Sequence, residues 1–268
     1  MNERSAETQV APGISFVIRA RNEEATLYAS LESLQNFSFP HEVIVILHRC
    51  SDRSLEIAQS FPNTKVFEFD RPISRAGFET LITPVTSPHS IMSYCEWAFS
   101  KGAHLWTFKW DADFIATPEL VEFLNAHPWD DRNPTRIQVP TLTEGRPPKS
   151  EPYLFNAGHK HSKWVFYEHN ASIFEPHVVE KTIAQKIVHA TPIADDAIKP
   201  YWREPPWFEQ EETEEALELR RKYRFLVELI GPEPVGLARD QNPLRDELFQ
   251  TVRSKEQELN AHGIYLWS

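Results

Sequence analysis

Cysteine and glycine are both scarce in this sequence. There are two cysteines, Cys50 and Cys95, in 268 residues. Two isolated thiols make neither a disulfide framework, nor a zinc site, nor a CxxC redox pair, and a reducing cytoplasm is the expected compartment. The 8 glycines are outnumbered by 21 prolines, which predicts stiff loops. No apolar run is long enough to span a bilayer. The first residues, "MNERSAETQVAPG", lack the apolar centre of a signal peptide, so any membrane contact is expected to be peripheral. Positive charge is also in deficit. A formal net charge of −11 excludes a general nucleic-acid binder.

What is present is an alternation. "ISFVIR" (14–19), "EVIVILH" (42–48), "KVFEF" (65–69) and "HLWTFKW" (104–110) are short apolar runs rich in β-branched and aromatic residues, and they predict buried strands. Helical segments are expected between them, over "NEEATLYASLESLQ", over "RSLEIAQSF" behind an N-cap at Ser51 or Asp52, and over 93–101. Thr117 and Pro118 are placed to open a helix over "PELVEFLNAH". Strand–helix alternation of this kind implies an α/β fold with a mostly parallel sheet covered on both faces. The second half is less regular. "TRIQVPTLT", "SKWVFYEHNASIF" and "AQKIVHA" predict strands, and "IKPYWREPPWF" an extended Pro-rich stretch. A long charged helix is expected from Glu209, with Leu217, Tyr223, Leu226 and Leu229 facing inward, then a last helix around "PLRDELFQTVRSKEQEL". The interval from Asp70 to His89 is long for a connector and is expected to be a lid or binding loop.

Ligands of open α/β sheets bind beyond the carboxyl ends of the strands. Polar clusters follow three of those ends: "RARNEE", "HRCSD" and "DADF". Asp111 and Asp113 pose an electrostatic problem, because two carboxylates this close repel and lose hydration. In an extended strand end they would point to one side. There they could share a hard divalent cation, Mn²⁺ or Mg²⁺, with substrate phosphate, and that cation would neutralise a leaving diphosphate.

Together "ISFVIRARNEEATLYASLESL", "EVIVILHRCSDRSLEIAQSF" and "WTFKWDADF" resemble the family 2-type glycosyltransferases of GT-A fold, over roughly residues 14–125. The resemblance implies a GT-A domain over 14–207, with a donor half at 14–125 and an acceptor half at 126–207. Residues 1–13 would be a tail and 208–268 a helical C-terminal extension able to pair two chains. It further implies a nucleoside-diphosphate-sugar donor of UDP or GDP type, and a glycan or lipid-linked hydroxyl acceptor. Transfer would be metal-dependent and inverting, in surface polysaccharide or glycoconjugate synthesis. By position, Arg19, Asn22 and Glu23 would line the base and ribose pocket, and Asp52 would sit near the base. Asp111 would face the ribose or metal waters, and Asp113 would bind the metal, with His189 a further candidate ligand. Asp195 or Asp196 in "IADDAIKP" would be the general base. Trp202 and Trp207 are candidates to stack on acceptor sugars, with core packing as the alternative. The sequence departs from the family pattern twice. His48 or Arg49 stands where an acidic residue is common, and "SPHSIMSYCEW" replaces an arginine-containing stretch, for which Arg71 or Arg75 could substitute.

Other chemistries use some of the same letters. Haloacid-dehalogenase-type phosphatases carry DxD after an apolar strand, but at the start of the domain and with a threonine where Ile115 stands here. Sugar nucleotidyltransferases need a Gly-rich phosphate loop after the first strand, and "RARNEE" has no glycine. A fold of this type that only binds nucleotide-sugars or a protein partner is the non-enzymatic alternative. The histidines of "HKHSKWVFYEH" have no carboxylate or thiol at zinc-site spacing.

Overall fold

The computed structural model describes residues 11–74, 77–129, 136–142, 149–156, 180–182, 187–189, 204–232 and 250–264. Strands β1 (Ala11–Ala20), β2 (His41–His48), β3 (Thr64–Phe69) and β4 (His104–Asp111) lie in the order β3-β2-β1-β4, all parallel. Burial explains their composition. Every residue from Glu42 to His48 is buried, as is every residue from Gly13 to Ile18. A parallel strand covered on both faces must be apolar along its length. At the sheet edge, β3 is only half-buried and turns Lys65 and Glu68 to solvent, charges that discourage pairing with another chain.

Beyond β4 the sheet becomes mixed. Five further strands are β5 (Phe114–Ala116), β6 (Arg136–Leu142), β7 (Lys149–Asn156), β8 (Glu180–Thr182) and β9 (Ile187–His189). β7 runs antiparallel to both β4 and β6, β8 and β9 run parallel to β6, and β5 runs antiparallel to β9. Parallel pairings remain the majority, so the α/β class with a mostly parallel central sheet is the one observed. The helices α1 (Leu27–Ser33), α2 (Ser54–Gln59), α3 (Phe78–Ile82), α4 (Ile91–Phe99) and α5 (Pro118–Ala126) complete the first half. Leu27, Leu31 and Leu34 from α1 and its end, Ala58 from α2, and Leu120 and Leu124 from α5 pack with the strands in one core.

The amino ends of the strands are fastened by one buried carboxylate. Glu42 accepts hydrogen bonds from Ser15 Oγ at 2.6 Å, Ala103 N at 2.5 Å and Lys65 Nζ at 2.6 Å. Ser15 Oγ in turn accepts from His104 N at 3.1 Å, so β1, β2, β3 and the start of β4 share the cluster. Gly102 is required beside it, because a Cβ there would sit 2.9 Å from Ser15 Oγ. Burial alone would raise the Glu42 pKa, but the hydrogen bonds from Lys65, Ser15 and Ala103 outweigh it and hold the carboxyl below its ordinary value.

Several local expectations shift. The second helix begins at Ser54 with Arg53 at the N-cap. Asp52 still serves it, since its Oδ1 accepts from Ser54 N at 3.0 Å. The third predicted helix starts at Ile91 rather than Ser93. Thr117 caps α5 as expected, accepting from Leu120 N. β5, β7 and β8 were not anticipated. The first is three residues long, and the second holds polar Lys149, Ser150 and Glu151 beside Pro152, a poor strand signal. The predicted strand over 162–174 lies outside the described residues.

The chain divides into two compact units. Described residues of the first come from Met1–Asp70, Ala98–Val165 and Ala171–Asp196, and those of the second from Arg71–Trp97 and Ala197–Ser268. The second unit contains α3, a 3-10 turn at Trp207–Glu209, α6 (Glu214–Ile230) and α7 (Glu256–Ala261). Its core joins Phe78, Ile82, Trp207, Phe208, Ala216, Leu219, Leu226 and Leu259. The inward stripe of α6 thus runs through Ala216, Leu219, Tyr223 and Leu226, and Leu217, expected inside, is 40% exposed. The described residues of the Asp70–His89 interval include α3, and Ser74 N donates to His89 O at 2.8 Å. His89 stacks on Trp207 with centroids 3.8 Å apart, and Ser87 Oγ donates to Glu215 at 2.5 Å.

Replacing Glu42 with Gln is expected to lower stability by about 1–3 kcal/mol at neutral pH, because buried donors lose a charged acceptor. The Glu42 pKa is depressed in the folded state, so its contribution is present above the unfolded value and is lost as pH falls through the folded one. Urea unfolding at neutral pH and in mild acid should therefore show wild type and variant converging as pH falls. A constant gap between them would count against this role.

Candidate functional site

The carboxyl ends of β1, β2 and β4 form a row, and the residues following them carry the polar clusters. In the sheet register Arg19 is the Cα partner of Asp111. Their side chains form an ion pair, with Arg19 Nη2 3.8 Å from Asp111 Oδ1 and side-chain exposures of 13% and 35%. The positive group that the paired aspartates require is thus supplied from the neighbouring strand.

Asp111 ends β4, and Ala112 and Asp113 form a turn before β5. The two carboxylates are therefore not related by a straight strand, as the spacing suggested. The chain reverses because β5 must reach α1 and β9. Ala116 N donates to Ser33 Oγ at 3.2 Å, and the buried Trp110 indole donates to Ser30 Oγ at 3.0 Å. Both aspartates are partly exposed. Two accessible carboxylates at a turn suit a hard cation whose remaining positions are filled by water and phosphate oxygens. Among the described residues no cluster of three or more His, Cys, Asp or Glu could hold a metal ion. His189 lies on β9, where its Cα partner is Phe114, the residue after Asp113.

The loops after β1 and β2 are bound to each other by reciprocal hydrogen bonds. Asn22 adopts a left-handed conformation, φ 58°, which asparagine tolerates better than most residues. Its Oδ1 accepts from Ser51 N at 2.8 Å. Asn22 N donates to Cys50 Sγ, and that thiol donates to Ala20 O, both at 3.5 Å. Glu23 N donates to Ser54 Oγ at 2.9 Å. Glu24 N donates to Asp52 Oδ2 at 2.9 Å, while Arg53 N donates to Glu24 Oε2 at 3.0 Å. Desolvation would raise the Asp52 pKa, but hydrogen bonds from the Ser54 hydroxyl and from the Glu24 and Ser54 amides outweigh it, and the carboxyl is held below its ordinary value. Burial pushes the Cys50 thiol up, helped by the charges of Asp52 and Glu23, so it acts as a neutral hydrogen-bonding group.

Arg19, Asn22, Glu23, Asp52, Asp111 and Asp113 all belong to the first unit, at the carboxyl ends of its parallel strands. Asn22 and Asp52 each commit oxygen lone pairs to the opposite loop. Arg75, Asp195, Asp196 and Trp202 lie outside the described residues. Trp207 is corrected: it is 3% exposed and one ring face is covered by His89, so it packs a core and cannot offer that face to a sugar. Sequence reasoning gave no role at these strand ends to Glu24, Cys50 or Ser54, and named Ser51 only as a helix cap. Their signal was weak, because short polar residues in a turn read as solvated until the partner loop is in place.

No family model matches the chain, and no curated protein sequence matches it. Among solved structures the chain is similar to S. aureus TarS 1-349 in complex with UDP-GlcNAc, at 18% identity and TM-score 0.36, covering 50% of this chain and 36% of that one. It is also similar to the mannosyltransferase PcManGT from Pyrobaculum calidifontis in complex with GDP-Man and Mn²⁺, at 15% identity and TM-score 0.48, covering 95% and 74%. A third is glucosyl-3-phosphoglycerate synthase from Mycobacterium tuberculosis with UDP, at 19% identity and TM-score 0.33, covering 50% and 46%. The chain thus spans less than half the length of the TarS and synthase structures it matches.

Replacing Asp52 with Ala removes the acceptor of two backbone amides in different loops. Stability is expected to fall by about 1–2 kcal/mol, read as a lower melting temperature. Hydrogen exchange should quicken at the Glu24 and Ser54 amides. Unchanged protection of both would show that the loops are held by other contacts.

Proposed function

We propose that this protein is a glycosyltransferase that moves a sugar from a nucleoside-diphosphate donor to a hydroxyl of a glycan or lipid-linked acceptor. The observation that supports it best is the row of strand ends itself. There the Arg19–Asp111 pair and the Asp113 turn stand beside two loops braced against each other. A nucleotide-sugar needs such a row, with a polar cradle for base and ribose at one end and a site for the charged diphosphate at the other.

Each residue has a role in that reading. Asn22, Glu23 and Asp52 form the wall of the nucleoside cradle, and their mutual hydrogen bonds fix it before the ligand arrives, which lowers the ordering entropy of binding. Arg19 holds the Asp111 carboxylate in place and offsets its repulsion from Asp113. Asp113 and Asp111, with His189 as a further candidate, would hold Mn²⁺ or Mg²⁺, and the cation would supply charge neutralisation for the departing diphosphate. Arg75 is the proposed additional donor contact. Asp195 or Asp196 would take the proton from the acceptor hydroxyl, with inversion at the sugar carbon, and Trp202 is the remaining candidate to face the acceptor. Transfer to a surface polysaccharide or glycoconjugate at the inner face of a membrane fits this chemistry. No helix among the described residues is long and apolar enough to cross a membrane.

Calorimetric titration of the full chain with UDP and GDP, with and without manganese, tests the donor site. Wild type should bind at least one nucleotide with metal-enhanced affinity. Asp113→Ala should lose the metal enhancement while keeping its circular dichroism spectrum. Metal-enhanced affinity that survives in this variant would refute the assignment. For the chemical step, Asp195→Asn or Asp196→Asn is expected to leave nucleotide affinity alone and slow transfer by about 10²–10⁴. Full turnover in both variants would place the base elsewhere.

A further inference from the structure

Arg49 follows the last residue of β2 with φ 50°. The left-handed region is disfavoured for a side chain that is neither glycine nor asparagine, and strain of this kind concentrates at functional sites. The backbone on either side is held firmly. The buried His48 ring packs edge-on against Phe69, with centroids 6.0 Å apart, and the Cys50 thiol is hydrogen-bonded across to Ala20 and Asn22. The Arg49 side chain is nevertheless exposed. Among the described residues it makes no hydrogen bond or ion pair, although the chain has 39 acidic residues to offer. A strained backbone that presents an exposed guanidinium, unpaired among the described residues, where the braced loop after β2 begins is arranged for a ligand rather than for the fold.

The sheet order says which part of the ligand. Parallel strands lie about 4.8 Å apart. Asp111 ends β4, Arg19 is on the adjacent β1, and Arg49 follows β2, one strand further. Arg49 is therefore roughly 10 Å along the row from the carboxylates. A nucleotide whose diphosphate lies at Asp111 and Asp113 reaches that distance with its base. Arginine carries only donors, in a planar fork. Guanine offers that fork two adjacent acceptors, N7 and O6. Adenine sets an amino donor beside N7, and uracil sets an N–H between its two carbonyls, so each turns a donor toward the fork.

Resting on the nucleoside-diphosphate reading above, we propose that Arg49 selects the base and that the site takes a guanosine-diphosphate-linked donor. Titration of the full chain with GDP, UDP and ADP in the presence of Mn²⁺ tests this. Wild type should bind GDP roughly tenfold or more tighter than UDP or ADP, the discrimination typical of one bidentate arginine–guanine contact. Arg49→Ala should lower GDP affinity roughly tenfold more than it lowers UDP affinity, which erases that preference. Arg49→Gly should erase it too while raising the melting temperature, because glycine takes the left-handed conformation freely. A GDP preference that persists in both variants, or a wild type that prefers UDP or ADP, would overturn the proposal while leaving the donor site in place. Failure of wild type to bind any of the three nucleotides would instead overturn the donor site itself.

Discussion

The ion pair between Arg19 and Asp111 is the contact from which the site is organised. It joins neighbouring parallel strands at their carboxyl ends, in register, at 3.8 Å. A carboxylate on a buried strand that also has a second carboxylate two residues on would be costly without it. The pair leaves Asp111 partly exposed, so the carboxylate is held in place without being sealed from solvent. The register that permits it is set elsewhere, by continuous apolar burial along β1, β2 and β4 and by the Glu42 cluster at their amino ends. A one-residue slip would turn the apolar side chains of these strands to the opposite face, and would also move Arg19 out of line with Asp111.

A second constraint acts on the loops. Backbone amides leaving the ends of β1 and β2 have no sheet partner, and each must find an acceptor. Here they find it in the opposite loop: Asp52 for Glu24, Glu24 for Arg53, Asn22 for Ser51, Ser54 for Glu23. The same polar side chains that look like solvent-facing turn residues are thus the frame that joins the two loops. Asn22 and Arg49, the two non-glycine residues with positive φ among those described, both lie in this frame. Rigid surroundings are what allow unfavourable backbone conformations to persist.

The second unit follows different rules. Its helices hold together through an aromatic and aliphatic core around Phe78, Trp207, Phe208 and Tyr223. Arg220 ties the turn to the helix, donating to the backbone carbonyls of Phe208 and Glu211 and pairing with Glu209 and Glu212. Arg71–Trp97, from the connection between β3 and β4, belongs to this unit, with His89 on the Trp207 ring and Ser87 on Glu215. Trp207 therefore belongs to a packed interior, and its resemblance to a sugar-stacking residue was a matter of composition alone.

The α/β class, the four parallel strands and the position of Asp111 and Asp113 at a strand end were written in the sequence. A strand buried on both faces must be a continuous apolar run, and such runs are visible without coordinates. The cap at Thr117 was legible for the same kind of reason, since its hydrogen bond is local. Three features depended on groups distant in the chain. The partnership of Arg19 with Asp111 needs β1 and β4 adjacent. The cross-loop bonds of Asn22, Glu24 and Asp52 need two turns 28 or 29 residues apart to meet. The helical phase of α6, with Leu217 outside and Leu219 inside, was set by the surface it packs against, because its sequence carries apolar residues on more than one face. Sequence fixes periodicity, whereas which polar group satisfies which amide is decided only when the folded chain brings them within hydrogen-bonding distance.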